Sequence, residues 1–295
     1  SLEASEVKFL KSLAVKSYAK INITLDVLKK RNDGYHDLKM IMQTVSLCDI
    51  VTIASKPQGI TVNSNLGYLP TDENNLAYKA AADFFKESGI SGGADIFINK
   101  KIPVAAGLAG GSGNAAAVLK GLNKMYGDVF SNERLREIGL KIGSDVPYCI
   151  EGGTMLAEGR GEILTPLTPM KETPFVLATP RMAVSTKKVF AKLDADALTE
   201  HPDTDGVINA IKNGNIHETA IRMYNVLETA MCHPIINKLK GQMIDLGALG
   251  TVMSGSGPTV IGIFETEESA KKAEKYFRKN SVTAYAVQSV RKGVG

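Results

Sequence analysis

The sequence predicts an α+β fold, and three observations carry that expectation. Strand-like runs come first and as a block, and helical runs follow them without strict strand–helix–strand alternation. A stretch rich in Pro and Thr, RGEILTPLTPMKETP near 160–175, marks a domain boundary. The expected division is residues 1–165 and 166–295.

The opening strand is the clearest element. In VKSYAKINITLDV, residues 15–27, Val15, Ala19, Ile21, Ile23, Leu25 and Val27 fall on one face. Lys20, Asn22 and Thr24 fall on the other, the period of a half-buried strand. RNDGYHDLK follows, with Asn32-Asp33-Gly34 as a turn signal. Further strand-like runs occupy HDLKMIMQTVSLCDIVTIAS. Leu76, Ala80 and Phe84 then recur every four residues, with Gly89 near the end of that helix. ADIFINKKIPVA is a strand leading into a glycine cluster, and AAAVLKGLNKMYG and NERLREIGLKIG are helical. Beyond the boundary come a strand FVLAT and helices near 186–193, 206–212, 216–231 and 234–245. TVMSGSGPTVIGIF, a helix at 267–279 and a strand AYAVQSV close the chain. There is no internal repeat and no low-complexity tract.

Composition narrows the function. The net charge of +4 suits anionic small molecules and is too weak to argue for nucleic acid. Three cysteines, Cys48, Cys149 and Cys232, are far apart and odd in number, which fits a reducing, cytoplasmic compartment without a disulfide framework or zinc site. No apolar run approaches the roughly 18–20 residues of a membrane span. The first residues carry Glu3 and Glu6 and lack the apolar core of a secretory signal.

Four glycines, Gly107, Gly110, Gly111 and Gly113, fall within seven residues ahead of an alanine-rich helix expected to start near Asn114. Two readings stand side by side. Backbone folds closely around a phosphate group at a helix N-terminus, or the segment is a plain turn capped by Ser112 or Asn114. Neither G-x-x-x-x-G-K-[ST] nor a G-x-G-x-x-G opening a strand–helix–strand unit is present, so a phosphate cradle here belongs to another class.

IPVAAGLAGGSGNAAAVLKGLN resembles the phosphate-binding motif of the GHMP kinases, the galactokinase, homoserine, mevalonate and phosphomevalonate kinase family. YAKINITLDVL and MSGSGPTVIGIF are similar to its other two motifs. With KKRNDGYHDL, NNLAYKAA and IGSDVPYCI in order, the likeness spans residues 14–291. It implies a ribosomal-protein-S5-like N-terminal half and a ferredoxin-like C-terminal half, with substrate in the cleft between them. It also implies ATP and Mg²⁺, with γ-phosphoryl transfer to the 2-hydroxyl of a cytidine-diphosphate-linked methylerythritol. The protein is expected to be a monomer or homodimer, with no nucleic acid or membrane as partner.

The same resemblance implies roles for single residues. Asp145 matches the catalytic aspartate, which accepts the hydroxyl proton; by itself, following Gly143-Ser144 and preceding Pro147, it also reads as a helix cap. Lys20 matches the catalytic lysine, whose charge favours an ionised Asp145 and stabilises the transferring phosphoryl group. Asn22, two residues on and on the same strand face, would bond substrate or Asp145. Pro103, Ala105, Gly107, Leu108, Ala109, Gly110, Gly111, Ser112, Gly113 and Asn114 would hold the triphosphate, with Asn75 on the adenine side. Tyr35 and Phe190 would stack on opposite faces of cytosine, His36 would bond its polar edge, and Thr186 would lie nearby. Gly255, Ser256 and Gly257 would support the phosphate loop and the substrate diphosphate. Many members of the family carry two adjacent hydroxyl residues where this chain has Ser112-Gly113, which leaves Ser112, the candidate Mg²⁺ ligand, or water to make the contact of the missing hydroxyl with Mg²⁺ or a phosphate. Another GHMP kinase, of homoserine or mevalonate, and a non-catalytic sensor are the alternatives. The aromatic pair argues against the first, and the Lys20/Asp145 pair against the second.

Overall fold

The computed structural model describes residues 11–295, so Glu3, Glu6 and the reading of that segment lie outside the described residues. β1 (Ser12–Lys30) and β2 (His36–Lys56) form a long antiparallel hairpin. The turn closes because Asp33 Oδ1 accepts the Tyr35 N–H at 3.0 Å and Gly34 takes φ 84°, the conformation for which Asp-Gly is suited. β3 (Gly59–Ser64), α1 (Leu76–Ser88), β4 (Gly93–Asn99), α2 (Gly110–Met125), α3 (Asn132–Ile142), α4 (Val146–Glu151), β5 (Thr154–Gly159) and β6 (Ile163–Pro166) complete the first half. The second half holds β7 (Pro174–Thr179), α5 (Thr186–Lys192), α6 (Thr204–Lys212), α7 (Ile216–Ile221), β8 (Tyr224–Asn225), α8 (Leu227–Met231) and α9 (Pro234–Asp245). β9 (Gly250–Met253), β10 (Val260–Ile263), α10 (Glu267–Lys279) and β11 (Thr283–Val290) end it.

The α+β expectation holds. Among the described residues all strands join one sheet, with the order β3-β4-β2-β11-β7-β10-β9. β2 is its organiser. Leu38–Gln43 of β2 pairs β5 and Ile50–Lys56 pairs β4. Thr44 and Val45 meet Val290 and Ser289 of β11, and β11 in turn pairs β7 and so links the two halves. Behind the hairpin, the alanine run of α2 lies flat on the sheet, buried from Ala115 to Leu119.

Several sequence expectations are corrected. β1 is not half-buried: Lys20, Asn22 and Thr24 are as buried as the apolar face, because Asp145, Met40 and Ile41 of the first half close on them while Ala19, Ile21 and Ile23 pack against the second half. α2 begins at Gly110 rather than near Asn114, so three of the glycines form its first turn. The helix expected over 216–231 breaks into α7, β8 and α8. Asn225 donates through Nδ2 to Met253 O at 2.7 Å and to Gly255 O at 2.8 Å, and the chain is drawn onto β1 as a short parallel strand. β3 and β5 had no counterpart in the sequence reading, α4 was anticipated only through the cap reading of Asp145, and β6 lies inside the stretch taken as a boundary. They are short, and α4 at six residues is below the length that periodicity resolves.

A Cβ at Gly121 would lie 2.4 Å from Ile53 Cδ1 and 3.2 Å from Val15 Cγ2. Gly121→Val gains a few tenths of a kcal/mol in helix propensity, but overpacking costs about 1–3 kcal/mol and wins. Urea unfolding of the variant should show the lower midpoint; an unchanged midpoint would mean that α2 and the sheet are not in this contact.

Candidate active site

The site is built on the edge of β1 that β2 leaves free. The Lys20 N–H donates to Leu108 O at 3.1 Å. The Asn22 N–H donates to Ser254 Oγ at 3.3 Å, and that hydroxyl donates to Gly107 O at 3.0 Å. One strand edge thus fixes the glycine loop and the 254–257 turn. Gly107 itself has no substitute: its φ is 75°, and a Cβ there would sit 2.2 Å from Ser254 O.

Lys20, 5% exposed, donates through Nζ to Asn22 Oδ1 at 2.7 Å and lies 3.9 Å from Asp145 Oδ2. Asp145 occupies the N-cap position of α4, yet its side chain makes no capping bond. Its carboxylate is therefore directed at Lys20 and the cavity, and the cap reading does not describe it. α4 is anchored from behind: Tyr148 Oη lies 3.0 Å from Thr44 Oγ1 and donates to Gly153 O at 2.8 Å. Burial, then the nearby Asp145 charge, pushes the Cys149 thiol well up. It stays protonated beside the acid and serves as packing.

α2 carries no side-chain cap; its cap residue Ala109 is left-handed with φ 54°. The first N–H groups of a helix lack intrahelical partners, and those of Gly110, Gly111 and Ser112 belong to residues that line one large cavity. A bare N-terminus with its positive dipole end at a cavity wall has the donors and the field to receive an anion. Of the other expected loop residues, Pro103, Ala105, Gly107, Ala109 and Asn114 also line the cavity. Leu108 and Gly113 do not: Leu108 is in the core, and a Cβ at Gly113 would meet Ser17 Oγ at 2.7 Å. Asn114 is buried and its amide is committed inward, to Ser17, Asp49 and Lys100. Asn75 is at the cavity wall, but its side chain caps α1, accepting from the Ala77 N–H at 2.9 Å and donating to Pro70 O at 2.8 Å.

Tyr35, His36, Thr186 and Phe190 gather at the other end of the same cavity, with Gly255 and Ser256 on its wall. His36 and Phe190 face each other with ring centroids 5.2 Å apart. Burial, and secondarily Lys30, lowers the His36 pKa, so the ring is neutral at pH 7 and offers both a donor and an acceptor. Thr186 Oγ1 and Ser256 Oγ are 2.8 Å apart, which ties α5 to the 254–257 turn. Tyr35 is 52% exposed and carries the Arg160 guanidinium 4.8 Å over its ring. Asn22 and Gly257 stand behind the wall: Asn22 is fully buried against Lys20, and a Cβ at Gly257 would strike Met253. Arg160 and Lys100 line the cavity without having been singled out in the sequence. Arg160 sits in a β-turn whose strands were not foreseen, and Lys100 reads as an ordinary strand-end lysine.

The cavity holds about 1180 Å³, more than the usual 300–1,000 Å³ of a site for one drug-sized ligand. It runs from the helix N-terminus past Lys20 and Asp145 to the aromatic cluster, so two ligands fit with the lysine–carboxylate pair along the same wall.

Comparison with known proteins agrees. Residues 75–153 match the GHMP kinases N terminal domain and residues 207–282 the GHMP kinases C terminal domain. A 4-diphosphocytidyl-2-C-methyl-D-erythritol kinase of Alkaliphilus metalliredigens is 48% identical, covering 90% of this chain and 92% of its own. One from Clostridium perfringens is 49% identical, covering 90% and 93%. A crystal structure of 4-(cytidine 5'-diphospho)-2C-methyl-D-erythritol kinase superposes with TM-score 0.80 at 30% identity over 94% of this chain and 99% of that one. The homoserine kinase of Cytophaga hutchinsonii superposes with TM-score 0.78 at 19% identity, covering 100% and 99%, a likeness of fold alone.

Asp145 caps nothing, so any loss of unfolding free energy in Asp145→Asn should come from the buried Lys20 ammonium left without its counter-charge. Denaturant titration should then show that Lys20→Met recovers the loss in the Asp145→Asn background; no recovery would restore Asp145 to a structural role.

Proposed function

The chain belongs to the GHMP kinases, within them to the 4-diphosphocytidyl-2-C-methyl-D-erythritol kinases, and on that premise we propose how its residues divide the reaction. The enzyme is an ATP-dependent small-molecule kinase. It transfers the γ-phosphoryl group of ATP to the 2-hydroxyl of 4-diphosphocytidyl-2-C-methyl-D-erythritol, giving the 2-phosphate and ADP. The observation that carries the division of labour is the Lys20–Asp145 pair, 3.9 Å apart on the wall of one cavity with an anion-binding helix end and an aromatic cluster at its two ends.

Asp145 is the general base. Its carboxylate takes the proton of the 2-hydroxyl as that oxygen forms its bond to the γ-phosphorus, and the bond from phosphorus to the bridging oxygen of ADP breaks. Lys20, held by Asn22 at 2.7 Å, keeps a fixed positive charge beside the carboxylate and the transferring group. The first turn of α2 and the 103–109 loop receive the triphosphate through backbone N–H groups. Asn75 stays at the adenine side as a cap that shapes the wall. Phe190 and Tyr35 supply ring faces for cytosine and His36 its edge contact, while the 255–256 backbone and Thr186 border the diphosphate.

Mg²⁺ fits this wall as a partner of the nucleotide: it favours hard oxygen donors, keeps several waters and relies on substrate phosphates. The Ser112 hydroxyl, on the cavity side of α2, would join the phosphate oxygens in holding it. When bound it neutralises charge on the phosphates. Residues 1–165 make the nucleotide half in this scheme and 166–295 contribute α5 and the 254–257 turn. The last residues fold back on the first half, where the Gly295 N–H donates to Lys16 O at 3.2 Å.

The direct test is ADP release by the purified protein, expected only when the cytidine substrate is present; release independent of it would sink the assignment. Asp145→Asn should lower kcat about 10²–10⁴-fold with ATP affinity nearly intact. Retention of more than about a third of wild-type kcat would exclude the base role.

Selectivity divides along the chemistry of the base. Stacking accepts any base, since each has a π-face, and discrimination needs edge bonds that leave a wrong base with buried groups unpaired. Replacing both Tyr35 and Phe190 by Leu should raise KM for the cytidine substrate and leave ATP KM alone. His36→Ala should narrow the kcat/KM gap between cytidine and uridine versions of the substrate. A wild-type KM in the double variant would put the base pocket elsewhere.

A further inference from the structure

Asp49 lies outside the reacting groups, yet it is the most heavily bonded carboxylate in the first half. It ends the stretch of β2 facing the glycine loop and is 0% exposed. Oδ1 accepts the N–H of Lys101 at 2.7 Å and of Ile102 at 2.8 Å. Oδ2 accepts Lys100 Nζ in a short ion pair and Asn114 Nδ2 at 2.9 Å. Asn114 in turn accepts Lys100 Nζ at 3.4 Å through Oδ1 and donates to Ser17 Oγ at 3.1 Å.

These partners straddle the glycine loop. Lys100, Lys101 and Ile102 are where the loop leaves β4, and Asn114 is one turn into α2, where the loop has become helix. One buried carboxylate therefore clamps both ends of the segment that lies between. The Lys100 ammonium is wedged under the helix start, since a Cβ at Gly110 would stand 2.8 Å from Nζ.

We propose that Asp49 is a positioning residue for nucleotide binding: its carboxylate sets the distance and angle between loop 100–102 and the first turn of α2, and so pre-forms the phosphate cradle. This rests on the reading of that loop as the ATP site. A cradle made of backbone N–H groups has no side chain to adjust, so its donors must be aimed before the anion arrives. Glycines supply close approach but no rigidity of their own, and the buried four-bond anchor supplies it.

The sign of the effect separates positioning from simple charge. Asp49 places a negative charge beneath a site for a triphosphate. Removing that charge, if nothing moved, would tighten ATP binding. Loss of the clamp would weaken it, because Asn at 49 leaves the Lys100 ammonium buried without its counter-charge and frees both loop ends.

Asp49→Asn and, separately, Asp49→Glu should each raise ATP Kd at least about tenfold by calorimetry. Affinity for the cytidine substrate alone should stay within about twofold, and kcat at saturating ATP within about threefold. Asp49→Glu keeps the negative charge beside Lys100 but moves the carboxylate by one methylene, so it decides the matter by the same ratios if Asp49→Asn does not fold. Unchanged or tighter ATP binding, or an equal loss of both ligands' affinities, overturns the clamp. Wild-type protein titrated in parallel distinguishes the two levels: if it too fails to bind ATP, the reading of the loop falls and the clamp with it.

Discussion

The free edge of β1 is the constraint on which the other features depend. Both faces of this strand are covered between Ala19 and Val27, so its unpaired N–H and C=O groups cannot reach water. An unsatisfied buried group of this kind costs about 1–3 kcal/mol. Lys20 is satisfied by Leu108, Asn22 by Ser254, and Leu25 by Val226. Three remote stretches of chain must therefore meet along one line. They are the glycine loop, the 254–257 turn and the segment that ends at α8. The active-site wall is in this sense the solution to a hydrogen-bonding requirement of the core strand. Leu108 adds packing to the same pin, since it joins Ala19 and Ile21 in one apolar cluster.

In the proposed division of the site, the two ends of the cavity would hold their ligands by different physics. At the α2 end the donors are backbone N–H groups at an uncapped helix start, fixed in place by the fold. At the other end they are rings on the hairpin turn and on α5, which come from opposite halves of the chain. His36 already lies against Phe190 at 5.2 Å, and Arg160 against Tyr35 at 4.8 Å. A base entering between rings must exchange these contacts for its own. Affinity at that end is consequently a difference between two stacked arrangements rather than the whole value of one.

Much of this was legible in the sequence, and the failures have a common cause. Helices with four-residue periodicity were found within a residue or two, as with α10, whose Glu267, Glu268, Arg278 and Lys279 also complement its dipole. The glycine cluster, Lys20 and Asp145 were visible as motif residues, and the structure brings the last two together. What local pattern missed was set by distant partners. Lys20 and Asn22 look solvated on a strand face until Asp145 and Met40 close over their side chains. The 222–226 break exists because Asn225 bonds to Met253 and Gly255. Asp49 falls inside a run read only as strand-like, and its four partners, two of them the backbone N–H groups of Lys101 and Ile102, leave no trace in its neighbourhood. Asn114 lines the cavity, but its amide is bonded inward to Ser17, Asp49 and Lys100.

The Ser112-Gly113 departure also becomes intelligible in space. A side chain at 113 would begin 2.7 Å from Ser17 Oγ and 3.3 Å from Tyr18 O, and Ser17 Oγ already accepts Asn114 Nδ2. The hydroxyl on β1 therefore fills the room that a second hydroxyl on α2 would need. Positions 17 and 113 form one packing unit, and a larger residue at 113 requires a different partner at 17. A hydroxyl at 113 pointing into that space would meet β1 and not the cavity. The lack of one consequently takes nothing from the cavity wall, and Ser112, which lines that wall, is the hydroxyl left for the metal role proposed above.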